Sequence, residues 1–215
     1  EGTAETEEGL LPTDAITPAT VKVTGTNVAE YTQDIQGAVF TITKGEGEDA
    51  EDVTANYAIT KVDGGFEIIK NEKTLKITSG TQSWVYNGEE HTYEVYTVVY
   101  GDSTVTGTEG QKVFTLDGSD TVTITSTATA VKNVTAEGTE KNNTFSYVLS
   151  NADGYQTPET EYGTLTVTAR PITITGTTIE DAIPYDGVEH SVEAYTYNEG
   201  TAETEEGLLP TDAIT

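Results

Sequence analysis

The sequence predicts an all-β chain of tandem Ig-like antiparallel β-sandwich domains, each of about 99 residues and stacked end to end. Three observations carry that expectation. Residues 1–17 and 199–215 are the same seventeen residues, EGTAETEEGLLPTDAIT, so the chain returns to its starting sequence after 198 residues. Half of that period is visible as well, because Tyr86-Asn87-Gly88-Glu89-Glu90-His91 recurs 99 residues later as Tyr185-Asp186-Gly187-Val188-Glu189-His190. Finally, apolar residues alternate with threonine at period 2 in many short stretches, the pattern of a half-buried strand.

The strands follow in chain order. Val21 and Val23 mark one, and Phe40 and Ile42 another. Leu75 and Ile77 alternate with Thr74, Lys76 and Thr78, and Val122 and Ile124 with Thr121, Thr123 and Thr125. Phe145, Tyr147 and Leu149 share a face, as do Leu165 and Val167, and Ile172 and Ile174. Threonine suits these positions because its branched Cβ fits a pleated, half-exposed surface. No stretch of helical length shows a 3.6-residue period. Gly45-Glu46-Gly47-Glu48-Asp49, Gly101-Asp102, Asp117-Gly118 and Asp153-Gly154 break the strands at short intervals. Many short strands between turns predict two antiparallel sheets per domain.

Matches near the 99-residue offset set the domain frame. Leu75–Thr78 pairs with Ile172–Thr175, Tyr57 with Tyr155, Gly65 with Gly163, and Thr26-Asn27-Val28 with Lys132-Asn133-Val134, the offsets drifting between 97 and 106 as loops change length. Residues 73–170 read as one complete unit. Residues 1–72 read as the later part of another unit without its opening strands, and residues 171–215 as the opening part of that same kind of unit. The chain is therefore expected to be a window onto a longer array, which also accounts for the lack of a visible signal peptide. Between Val167 and Ile172 there is almost no linker, and Pro171 holds Arg170 extended, so a stiff joint is expected.

The net charge of −27, from 37 acidic and 10 basic residues, excludes nucleic acid and anionic membranes as partners. Cysteine and methionine are absent, which removes disulfides, thiol nucleophiles and Cys-based metal sites. No apolar run is long enough to span a membrane. Twelve tyrosines and the strict alternation favour a folded chain over a disordered acidic one.

The ordered motifs Tyr185-Asp186-Gly187 and Tyr86-Asn87-Gly88, then Tyr100-Gly101-Asp102, then Gly163 to Thr175, resemble the YDG/MBG-type tandem repeats of large bacterial cell-surface proteins of adhesin type. The resemblance covers nearly the whole chain. It implies a secreted, extracellular location on a bacterial cell surface and a stalk or spacer role, and supplies no ligand. The sequence departs from the pattern at Gly65 to Lys73, where no proline follows the closing strand.

Candidate sites are few. Tyr86, Asn87, Gly88 and His91, with Tyr185, Asp186, Gly187 and His190, are read as type I′ hairpin corners, the tyrosines packed beneath and each histidine bonded to a loop carbonyl. Neither histidine has a second ligand nearby in sequence, so no metal site is expected. The acidic stretches Gly45 to Asp52, Asp117 to Asp120 and Glu180-Asp181 are candidate calcium loops, although none fits an EF-hand, and solvated charge is the simpler reading. Thr121, Thr123, Thr125, Thr127 and Thr129 form a ladder read as the solvent face of a sheet. Asn133-Val134-Thr135 and Asn142-Asn143-Thr144 are glycosylation sequons, which makes Asn133 and Asn142 candidate glycan sites. No catalytic or cofactor-binding motif is present.

The expected role is a structural segment of a surface stalk or fibre that projects or spaces other domains, with neighbouring repeats as partners. One rival is a glycan- or host-protein-binding adhesin module that uses Tyr93, Tyr96, Tyr100, Tyr195 and Tyr197 as stacking platforms. A second is a self-assembling filament subunit completed by strand exchange, against which the duplicated seventeen residues argue, since both copies would compete for one place.

Overall fold

Alternation of threonine with Ile, Val, Leu, Phe and Tyr gives many segments one apolar face, and the regular secondary structure of the described residues is almost entirely short strands. The computed structural model describes residues 8–17, 21–45, 49–136 and 139–215. The chain divides between Asn71 and Glu72 into two compact units.

The first unit holds β1 (Asp14–Thr17), β2 (Ala29–Gln33), β3 (Thr41–Lys44), β4 (Glu51–Asp52) and β5 (Gly64–Ile68), with a one-turn 3-10 helix at Thr54–Asn56. Its sheets are β1-β3-β4 and β2-β5, both antiparallel. Among its described residues, Ile42 and Val53 are the buried apolar ones. Val21 and Val23 lie outside any strand, which corrects the expectation placed on them.

The second unit holds β6 (Leu75–Ser79), β7 (Gln82–Val85), β8 (Tyr96–Tyr100), β9 (Ser103–Thr106), β10 (Val113–Thr115), β11 (Thr121–Ser126), β12 (Phe145–Leu149), β13 (Glu159–Glu161), β14 (Leu165–Thr168), β15 (Ile174–Gly176) and β16 (Tyr195–Tyr197). The sheet β13-β6-β8-β9 supplies Leu75, Ile77, Tyr96 and Val98 to the core. The sheet β10-β11-β12 meets them with Phe114, Val122, Ile124 and Phe145. Tyr96 meets Phe145 edge-on with ring centroids 5.6 Å apart, a favourable quadrupole arrangement.

Purely antiparallel sheets are not what forms. β6 pairs with β13 and β7 with β14 in parallel, Lys76 opposite Glu159 and Val85 opposite Thr168, each pair separated by 83 residues. Residues 76–85 and 159–168 therefore run side by side in one unbroken register that changes sheets at Gly80 and Gly163. A Cβ on Gly163 would lie 2.1 Å from the Gly80 carbonyl oxygen, so only glycine allows the ribbons to approach this closely. Asn143 fastens the crossing point from inside. Its Nδ2 donates to the carbonyls of Gly80 (2.8 Å) and Tyr93 (2.9 Å), and its own carbonyl accepts from Ser79 Oγ (2.6 Å). Burying an amide here is tolerable because these donors and acceptors are paired.

Candidate functional site

The two Tyr-[Asn/Asp]-Gly turns share one geometry. Asn87 Oδ1 accepts the Glu89 amide at 3.0 Å and contacts His91 Nε2 at 2.9 Å. Asp186 Oδ1 likewise accepts the Val188 amide at 3.0 Å and meets His190 Nε2 at 3.1 Å. Both are Asx turns, in which the side-chain oxygen bonds to the backbone two residues on. A type I′ corner needs positive φ at both central residues. Only the glycines satisfy this, Gly88 at 80° and Gly187 at 77°, so the I′ reading is corrected. The histidines bond to a side-chain oxygen rather than a loop carbonyl. Tyr185 is exposed rather than packed under its turn, and Tyr86 is half-buried. His91 stacks on Trp84 at 4.7 Å and 11°, and its backbone bridges Val131. The Val188 amide first, and His190 second, hold the Asp186 carboxyl below its ordinary range.

Arg170 is the chain's single arginine, and the sequence reading gave it no role beyond its place before Pro171. Its guanidinium joins three segments. Nε donates to the Gly207 carbonyl (2.6 Å), and Nη1 to the carbonyls of Thr204 (2.5 Å) and Tyr86 (3.3 Å). Nη2 donates to the carbonyls of Thr201 (2.9 Å) and Glu206 (2.6 Å) and to Thr204 Oγ1 (2.7 Å). Arg170 thus clasps the second copy of the seventeen-residue segment to the first Tyr-Asn-Gly turn. Gly207, at φ 86°, turns the segment so that Leu209 is 4% exposed. A planar fork of five donors suits a ring of carbonyls, whereas an ammonium does not. Arg170→Lys should therefore release the loop, and hydrogen exchange at Gly207 and Leu208 should accelerate about tenfold or more.

The two copies of the repeated segment form the same local turn. The Asp14 amide donates to Leu11 carbonyl oxygen at 3.0 Å, and Asp212 donates to Leu209 at 3.0 Å. Asp120 and Asp117 repeat the bond at 3.0 Å. Two of these aspartates receive a tyrosine hydroxyl that follows a one-turn 3-10 helix, Tyr57 onto Asp14 (2.5 Å) and Tyr155 onto Asp120 (3.1 Å). These Asp–Tyr pairs went unseen in the sequence. The Tyr57–Tyr155 match and the aspartates inside each turn were the available signal.

No protein-family model, curated protein or solved structure matches the chain.

An open cleft of about 630 Å³ lies beside the Asp117 turn, lined by Lys73, Tyr100, Asp102, Gln111, Val113 and Asp117 among others. Its polar groups contact one another. Lys73 Nζ is 3.0 Å from Asp117 Oδ1 and 4.8 Å from the Tyr100 ring centre, and the Tyr100 hydroxyl donates to Asp117 Oδ2. The Tyr100 ring also meets Tyr155 edge-on at 5.9 Å. Burial first, and the Asp117 hydrogen bond second, push the Tyr100 phenol well above its ordinary range, and Tyr155 is raised by burial and Asp120. Both folded values lie above the unfolded one. Their contribution to stability is complete below the ordinary tyrosine range and is lost as pH rises through the folded values. Ultraviolet titration should show tyrosines ionising late, together with unfolding, and Tyr100→Phe should remove part of that delayed fraction.

The other candidate residues are dispersed. Tyr96 is 0% exposed and cannot stack on a sugar, which corrects its assignment as a platform. Tyr93 packs over Gly80, while Tyr195 and Tyr197 are exposed. Among the described residues no three His, Asp or Glu side chains gather as metal ligands. Part of the Gly45 to Asp52 stretch falls outside the described residues. Asn133 is exposed. Asn142 is committed to the Leu165 backbone, its Nδ2 donating to the carbonyl at 2.9 Å and its Oδ1 accepting the amide at 2.6 Å. In the threonine ladder, β11 ends at Ser126, so Thr127 and Thr129 lie beyond it, exposed like Thr123 and Thr125. Among the described residues no helix is long and apolar enough to cross a membrane.

Proposed function

We propose that the chain is a structural repeat segment of an extracellular bacterial surface stalk or fibre, built of Ig-like β-sandwich units that space or project other domains. One observation carries this reading. The antiparallel pair β15–β16 repeats the register of the pair β6–β8 over its three residue pairs, Ile174 opposite Tyr197 and Gly176 opposite Tyr195 where Ile77 faces Val98 and Ser79 faces Tyr96. The Thr177 amide then donates to Ala194 as the Gly80 amide donates to Val95. A period that preserves strand register as well as motif is the signature of modules in series. The Arg170 clasp and the short Val167–Ile172 connection support a joint stiff enough to transmit orientation.

The glycan-binding reading has less support. The Tyr100 ring is flanked by Lys73 and Tyr155, and Tyr195 and Tyr197 occupy the positions that Tyr96 and Val98 fill in a core. The decisive measurement is the mass of the native protein, with electron microscopy of the purified material. A mass many times 22.9 kDa and thin, regularly beaded rods are expected. A native mass of a single copy, with no elongated particles, would refute the stalk.

A further inference from the structure

Inside residues 73–170, two sheets end at the same cleft. The sheet β13-β6-β8-β9 stops at β9 and the sheet β10-β11-β12 stops at β10, and both edge strands line the 630 Å³ opening beside the Asp117 turn. Hydrogen bonding shows which backbone groups the β10 edge leaves over. The Ile124 amide donates to the Lys112 carbonyl, and the Leu116 amide to that of Asp120. In an antiparallel ladder, bonded and non-bonded pairs alternate. Phe114 therefore exchanges its bonds with Val122, and the amides and carbonyls of Val113 and Thr115 point away from β11. No strand pairs with that side of β10 among the described residues. The Gln111 side chain reaches it, with Nε2 3.4 Å from the Val113 carbonyl oxygen, a long bond that an incoming backbone amide can replace.

The side chains beside this edge are covered on one side only. Phe114 is 3% exposed, and its ring lies so close under the end of the β8–β9 hairpin that a Cβ on Gly107 would stand 2.9 Å from it. Val105 stands opposite Val98 and so shares its face of the sheet. Val98 is 4% exposed, but Val105 is 47% exposed. The uncovered place is thus the next strand position beyond β10, over Val105. Carboxylates mark its two ends. Asp102 sits in the turn before β9, and Glu109 in the loop before β10. Neither has an ion pair among the described residues, whereas the nearby lysines are engaged, Lys73 by Asp117 and Lys112 by Glu94. The chain as a whole carries a net charge of −27, so this edge attracts a cationic segment and repels a second copy of the chain.

We propose that the β10 edge is a peptide-binding site, which takes an extended segment of a partner protein as an added strand, apolar at alternate positions and bearing Lys or Arg at its ends. The backbone of Val113 and Thr115 supplies the pairing, which is indifferent to sequence. Selectivity comes from the side chains. In an extended segment every second side chain points the same way, so the apolar ones settle on Val105 and fill the cleft. The cationic ends meet Asp102 and Glu109. The inference goes beyond the stalk reading and does not depend on it, since every residue it uses lies within 94–117.

Titrating the 215-residue chain against a fluorescein-labelled peptide, Lys-Val-Thr-Val-Thr-Val-Lys, and following anisotropy tests this directly. Saturable binding that weakens as salt rises is expected. The same peptide with glutamate in place of both lysines should bind at least about tenfold more weakly. Hydrogen exchange gives the readout specific to strand addition. With peptide bound, the Val113 and Thr115 amides should slow about tenfold or more, whereas a purely electrostatic contact would leave them fast. Val105→Lys should weaken binding about tenfold by removing the apolar floor and repelling the peptide. Val113→Pro removes an outward amide and none of the bonds to β11, and should weaken binding about three- to tenfold. Trp84 fluorescence and the urea midpoint of each variant show that the fold is kept. A wild-type chain that does not bind the peptide, binding that leaves Val113 and Thr115 unprotected, or a folded Val105→Lys variant that binds like wild type would each overturn the proposal. So would a dimer of the peptide-free chain that Val113→Pro abolishes, because the edge would then belong to a second copy.

Discussion

Ile77→Ala should destabilise the folded chain by about 2–5 kcal/mol, while Ile174→Ala in dilute solution should cost less than about 0.5 kcal/mol. The two residues occupy equivalent positions in two strand pairs of the same register, Ile77 opposite Val98 in β6–β8 and Ile174 opposite Tyr197 in β15–β16. They differ in cover. Ile77 packs among Leu75, Tyr96, Val98 and the residues of the facing sheet, and removing its methyl groups leaves a cavity as well as losing transfer energy. Ile174 stands largely in water, so truncation removes little that folding had buried. Urea unfolding followed by Trp84 fluorescence measures the first effect, because Trp84 is the only tryptophan and lies on β7 beside β14. Equal costs at both positions would show that the hairpin face is already covered in the single chain.

Gly163→Ala should cost about 3 kcal/mol or more, a large effect for one methyl group. The added Cβ would stand 2.1 Å from the Gly80 carbonyl oxygen and 2.6 Å from that of Ser79. Both are backbone atoms, Ser79 at the end of β6 and Gly80 in the short link to β7, so no side chain can swing aside to relieve the clash. The same shift would pull the Gly163 amide from Ser79 Oγ, now 2.9 Å away, and the Gly163 carbonyl from the Asn143 amide, now 3.1 Å away. Groups left unpaired there are buried, which adds a desolvation penalty to the steric one. Gly176→Ala is the matched control. It corresponds to Ser79 in the hairpin register, has no positive φ, and has nothing within 4 Å of a built Cβ. Its midpoint in urea should stay within error of wild type.

The strands were legible in the sequence wherever period-2 alternation met a packed partner. β6, β11, β12 and β14 fall on the stretches that alternation marks, and the apolar residues it places on one face are buried or half-buried, while Val148 on the other face of β12 is exposed. Val21 and Val23 alternate too, but alternation fixes only which side chains share a face, and a strand also needs a neighbour to pair with. Strand direction was not legible. Nothing local in Leu165–Thr168 distinguishes an antiparallel neighbour from the parallel β7 it takes, since that choice depends on contacts between residues 83 positions apart. The Tyr-[Asn/Asp]-Gly turns were found by their repetition, yet their type was misjudged, because an Asn or Asp side chain can take over the turn hydrogen bond and leave its own backbone in an ordinary conformation. Arg170 drew no attention because the clasp consists of backbone carbonyls, which no side-chain pattern reveals.

The parallel ribbon of residues 76–85 and 159–168 has a mechanical consequence. Chain enters this region just before β6 and leaves it just after β14, at opposite ends of two strands that point the same way. Tension along the polypeptide therefore slides one ribbon past the other, and the hydrogen bonds between them share the load together instead of parting one at a time. A hairpin pulled from its two neighbouring ends would instead peel. The Lys76–Glu161 ion pair at 2.7 Å and the Gly80–Gly163 crossing lie along the line of sliding, where they resist displacement by a single residue step. The same amino acids that fix register at rest thus set how much pull the region withstands before it extends.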